Sequence, residues 1–203
     1  MSGSYFHEAK VGHNLKSRAH ESIVENSYLM DGPTGTSSYL ADFPNGGRLV
    51  MKGNLLHKGP NAQNPSAISY GSEGLTHSIN TLALTHNTMA ITRSARAFLQ
   101  VRTGTQSVLL NANLLAGTGN QALIVGTYAS GNAVQTGNVT ALASQTPGAT
   151  NIANPNFWPD ASLQASLDLG RVLDAAYLHD VPRPFQLRAI SGARKAGALQ
   201  SAP

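Results

Sequence analysis

Alternation of apolar and polar residues is the dominant pattern along this chain. From Thr88 to Arg102, Met89, Ile91, Ala95, Ala97, Leu99 and Val101 alternate with polar side chains. Val108, Leu110, Ala112 and Leu114 repeat the pattern, as do Leu163, Ala165, Leu167 and Leu169. In Arg48 to Lys58, Leu49, Met51 and Leu55 share one side. A period of two places one set of residues on the buried face of a pleated strand. Asn45-Gly46-Gly47, Gly117-Thr118-Gly119-Asn120, Ser130-Gly131-Asn132 and Pro147-Gly148 mark breaks, because Gly and Asn tolerate the positive φ of tight turns. The pattern predicts about eight strands, at 48–57, 75–85, 89–101, 107–115, 121–128, 133–143, 162–178 and 184–190. Arg171 to His179 also fits a helix, with Val172, Leu173, Ala176 and Tyr177 on one stripe.

Short strands with regular turn signals predict a mainly β fold, an antiparallel sandwich or barrel, rather than a parallel βα fold. No fixed-period repeat and no domain boundary within the body is legible. Residues 1–31 are poor in large apolar side chains and end at Asp31-Gly32-Pro33, so they read as an extended N-terminal arm. The β-rich body spans 32–190, and 191–203 reads as a flexible basic tail.

Composition sharpens this picture in one place. The 57 residues between Arg102 and Asp160 contain no Lys, Arg, Asp, Glu or His, and are rich in Thr, Asn, Gly and Ala. Ordinary domains have about a quarter of their residues charged; this chain has 12 %. A polar surface without charge suits burial between subunits, because interface cores are depleted in charge. The net charge of +4 equals that of the segment from Val181 onward, which carries Arg183, Arg188, Arg194 and Lys195 and no acid. Such a tail can meet an acidic protein neighbour or nucleic acid. Arg188, Arg194 and Lys195 are the candidate partner-binding residues. The sequence has no cysteine, which excludes disulfides and thiolate metal sites. It shows neither a targeting segment nor an apolar run of membrane-spanning length.

Catalytic signals are weak. Tyr70-Gly71-Ser72-Glu73-Gly74 resembles a nucleophile elbow, but that motif needs Gly where Tyr70 stands, so a turn is the better reading. Asp168, Asp174 and Asp180 recur every six residues; on one strand they would spread over ~40 Å, too far for paired acid–base chemistry. The seven histidines show no metal-ligand spacing. The Gly-rich stretches lack the continuation that phosphate binding requires. Arg93, Arg96 and Arg102 form a basic cluster suited to pairing with carboxylates of another subunit. Asn138-Val139-Thr140 is a formal glycosylation sequon. No catalytic, cofactor or metal residue is expected, and no membrane partner.

The polar arm Met1–Met30, the Thr/Asn/Gly/Ala region 103–159 and the basic tail 191–203 together give a layout that resembles virion structural proteins, particularly auxiliary capsid or tail proteins of tailed bacteriophages. The resemblance implies β-rich subunits, arms that reach neighbours, and symmetric assembly without cofactors, in a particle made in the host cytoplasm. A capsid decoration or minor capsid subunit is expected, a tail-tube or connector subunit being the alternative within the class. From a different class, a carbohydrate-binding or adhesin-like β-sandwich would need exposed aromatics; Trp158, in Asn156-Phe157-Trp158-Pro159, is the candidate glycan contact.

Overall fold

The computed structural model describes residues 1–92, 97–117, 122–125, 133–142, 177–179, 187–189 and 197–198. Its organising rule is parallel pairing between strands one turn apart. The first sheet stacks β1 (Tyr5–His7), β4 (Tyr28–Met30), β7 (Leu55–Lys58), β10 (Thr88–Ile91), β13 (Leu114–Gly117) and β16 (Val139–Leu142). The second stacks β2 (His13–Lys16), β5 (Tyr39–Phe43), β8 (Ser66–Tyr70), β11 (Ala97–Val101) and β14 (Ala122–Val125). The third stacks β3 (Glu21–Glu25), β6 (Arg48–Lys52), β9 (Thr81–Thr85), β12 (Ser107–Asn111) and β15 (Ala133–Thr136). The chain visits the three sheets in rotation, β1 to β15 making five rounds of three strands, and so forms a β-solenoid. The expected antiparallel sandwich or barrel is therefore incorrect. Parallel neighbours ordinarily need a long crossover; here the other two strands of each turn are that crossover. One antiparallel pair, β17 (Tyr177–His179) with β18 (Leu187–Ala189), accompanies the solenoid.

Several expected long strands are really two strands meeting at a corner. The 48–57 run breaks into β6 and β7, 89–101 into β10 and β11, 107–115 into β12 and β13, and 133–143 into β15 and β16. Each corner from the third sheet to the first uses one left-handed residue followed by a short polar one. The left-handed positions are Asn26, Gly53, His86, Ala112 and Gly137, with φ between 47° and 65°. The residues after them are Ser27, Asn54, Asn87, Asn113 and Asn138. Their side chains stack into a ladder along the solenoid axis. Asn54 Oδ1 accepts from Ser27 N at 2.9 Å; Asn87 Oδ1 accepts from Asn54 N and Nδ2 at 3.0 and 2.9 Å. Asn113 Oδ1 accepts both bonds from Asn87 at 3.0 Å, and Asn138 Oδ1 those from Asn113 at 3.0 and 2.8 Å. The second amide hydrogen of each Asn goes back one turn, to the carbonyls of Val24, Met51, Leu84 and Leu110. The sequon asparagine, Asn138, is thus a ladder member with its amide nitrogen committed.

The core lies inside the solenoid as stacks of like side chains. Leu29, Leu56, Met89 and Leu115 share a row of the first sheet, and Phe43, Tyr70 and Val101 one of the second. Leu49, Leu82 and Val108 do the same in the third. All belong to one buried apolar cluster. Tyr70 places its hydroxyl at the wall of this core, where it donates to the carbonyl of Gly47. Residues 1–31, expected as an arm, supply β1–β4, and Val24 and Leu29 enter the core. No helix among the described residues is long and apolar enough to cross a membrane.

Candidate functional site

Three surfaces carry chemistry. The first is an ion-pair network on the second sheet. Lys16, Asp42, Ser69 and Gln100 pair in register on successive turns and so share a face, opposite the core row Leu15, Ala41, Ile68 and Leu99. Lys16 Nζ lies 3.1 Å from Asp42 Oδ2 and 3.2 Å from Glu73 Oε1. Arg18 Nη2 reaches Glu73 Oε2 at 2.7 Å, and His13 Nε2 reaches Asp42 Oδ2 at 3.3 Å. The His13 ring stacks on Tyr39 with centroids 5.6 Å apart. Asp42 is buried; its Oδ2 is held on two sides, while its Oδ1 accepts no hydrogen bond.

Charge and burial compete in this cluster. Partial burial works against a protonated Lys16, but hydrogen bonds to Asp42 and Glu73 outweigh it and raise its pKa. It is therefore an ammonium at neutral pH, unsuited to act as a base or nucleophile. Hydrogen bonds from Arg18 and Lys16 lower the pKa of exposed Glu73. Burial lowers that of His13 despite the neighbouring Asp42. The arrangement ties adjacent turns together; its formal charges, with His13 neutral, sum to zero.

The second surface is the outer face of the third sheet. Register places Ile23, Val50, Ala83, Leu109 and Val134 in one outward row. Ile23 is 40 %, Leu109 36 % and Val134 58 % exposed. A row of Glu21, Arg48, Thr81 and Ser107 flanks it on one side, and Glu25, Lys52, Thr85, Asn111 and Thr136 on the other. Charge is confined to the first two strands, where Arg48 pairs with Glu21. From β9 onward the face is Thr, Ser, Asn and an apolar stripe. With strands ~4.8 Å apart and residues ~3.3 Å apart, it measures roughly 19 by 15 Å.

The third surface is the outer face of the first sheet, an apolar layer distinct from the core. Tyr28, Met30, Leu55, Ala90, Leu114, Ala116 and Ala141 cluster there, joined by Ala198 from the C-terminal segment.

The residues singled out from sequence are scattered over this frame. Ser72 is exposed in the turn after β8. Arg102 also lies beside that turn, 3.4 Å from the carbonyl of Gly71; Arg93 and Arg96 lie outside the described residues. His57 and His86 are buried, whereas His20 and His77 meet edge to face at 5.5 Å. Among the described residues no group of three His, Asp or Glu side chains could hold a metal ion. Arg188 stands in β18 opposite Leu178. Trp158, Asp168, Asp174, Asp180, Arg194 and Lys195 lie outside the described residues. The ion-pair network went unseen in the sequence because its members, at 13, 16, 18, 42 and 73, are joined only by the register between turns. No family model matches this chain, and no curated protein or solved structure is significantly similar to it.

Proposed function

We propose that this protein is a non-enzymatic structural subunit of a virion, a capsid decoration or minor capsid component that docks in a symmetric assembly through the outer face of its third sheet. The observation that carries the reading is the uncovered stripe of Leu109 and Val134 on β12 and β15. Both strands fall within the long charge-free stretch, so there the apolar row is flanked only by neutral polar residues, whereas exposed Ile23 stands between Glu21 and Glu25 on β3. Exposed apolar surface rimmed by neutral polar groups fits a protein partner.

Size sets the kind of association. The face offers roughly 300 Å² per partner on its strand dimensions, far below the ~800 Å² per partner of a standard stable interface. A single contact is therefore weak, and several must act together, as they do when subunits repeat around a shell. The test places Lys at Leu109, Val134 or Thr136, all outside the core. Each variant is expected to keep the wild-type circular dichroism and to lose at least tenfold in association, measured by sedimentation of the protein alone and with shell subunits. An unpaired charge at a contact must shed its water, and the neutral partner returns nothing. Association at wild-type strength in all three variants would overturn the reading.

A further inference from the structure

The outer layer of the first sheet holds a short segment of the same chain in a seat shaped for it. Gly197 N donates to the carbonyl of Ala112 at 2.8 Å, and Ala198 N donates to Thr88 Oγ1 at 2.9 Å. Ala198 is 2 % exposed and belongs to the apolar cluster that also holds Leu114, Ala90 and Ala116. Gly197 has φ +93°, and a Cβ there would stand 2.7 Å from Thr88 Oγ1 and 2.9 Å from Leu114 Cβ. The first position of the seat therefore excludes every side chain. The second position holds a buried methyl group within that apolar cluster. Both main-chain N–H groups of the dipeptide are captured by acceptors on β10 and the corner before β13. Geometry, steric selectivity and two directed hydrogen bonds together describe recognition of a peptide.

We propose that this face is a docking groove for an extended Gly–Ala segment, and that Gly197–Ala198 of a second copy can occupy it in place of the chain's own. The groove stands on the geometry alone. Exchange between copies deepens the assembly reading above, because a third-sheet contact of so little area needs a further link. The described hydrogen bonds of the dipeptide go to Ala112 and Thr88, neither of which belongs to the core cluster inside the solenoid.

The test uses the full chain. Gly197→Val unseats the internal segment, and Ala198→Asp is a second variant that does so by charge. A fluorescein-labelled peptide of residues 191–203 is titrated into each by anisotropy. It is expected to bind both variants at least tenfold more tightly than it binds the wild-type chain, whose groove is filled. The same peptide carrying Gly197→Val should bind at least tenfold more weakly, and Thr88→Val in the receptor should weaken the intact peptide severalfold. For exchange between copies, wild-type chain is mixed with the Gly197→Val chain, with Val134→Lys in both to silence the third-sheet face. A complex is expected from the mixture and none from the Gly197→Val chain alone. Equal peptide affinity for wild type and both folded variants, or no binding to either, would overturn the groove. Peptide binding without a mixed complex would overturn exchange and leave the assembly reading to its own Lys variants.

Discussion

Asn87 shows how much one side chain can hold in this molecule. Its Oδ1 accepts from the main chain and amide of Asn54, and its Nδ2 donates to Met51 O and Asn113 Oδ1. All four partner groups lie in buried surroundings, and removing the amide takes a bond from each of them at once. Asn87→Ala should cost about 3–5 kcal/mol, since an orphaned buried polar group costs about 1–3 kcal/mol and more than one is created. Equilibrium urea unfolding checks this; Asn138→Ala, whose described bonds lie in only partly buried surroundings, should cost less. His57 makes a separate prediction. Burial on the outer layer of the first sheet lowers its pKa to about 4. The folded state therefore refuses a proton that the unfolded chain takes up below its ordinary value near 6.5. Stability is complete above that value and falls as pH drops toward 4, by about 3 kcal/mol from this group alone. In the His57→Leu variant that part of the slope should vanish from a plot of urea midpoint against pH.

Within each turn, the corner decides what the strand becomes. The 107–115 run alternates without interruption in sequence, yet Ala112 at φ +54° turns the chain between sheets. Left-handed backbone is costly for residues other than Gly; at Asn26, His86 and Ala112 the ladder bonds of the following residue hold it in place. The same logic fixes the start of the chain. Tyr28, Leu29 and Met30 pair in register with Leu55, Leu56 and His57, and Glu21–Glu25 pair along their whole length with Arg48–Lys52. Amide hydrogens of β3 and β4 that bond to the next turn should exchange only with global or near-global opening, whereas those of exposed Lys10 and Val11 should exchange within seconds to minutes. Rapid exchange throughout residues 21–30 would show that the first turn is detached in solution and behaves as an arm.

Over the full length of the solenoid, the same residues admit two architectures, and the choice between them is not local. Alternation at Leu82, Leu84, Val108 and Leu110 is satisfied equally by an antiparallel meander and by a solenoid, because both bury one face of each strand. The repeat that separates them is concealed by turn length. Tyr5, Tyr28, Leu55, Thr88, Leu114 and Val139 occupy equivalent places at intervals of 23, 27, 33, 26 and 25 residues. What recurs is a left-handed residue, then Ser or Asn, then the start of a first-sheet strand: Asn26-Ser27-Tyr28-Leu29, Gly53-Asn54-Leu55-Leu56, His86-Asn87-Thr88-Met89, Ala112-Asn113-Leu114-Leu115 and Gly137-Asn138-Val139-Thr140. That signal was present but spread over unequal loops. Short strands with one buried face, and middle turns that carry no charge, were legible from the sequence, since both follow from the chemistry of consecutive residues. The parallel pairing, the joining of Lys16 to Asp42 and Glu73, and the seating of Gly197–Ala198 on Thr88 were not. Each depends on which turn lies beside which, and that is set by hydrogen bonds between residues more than twenty positions apart.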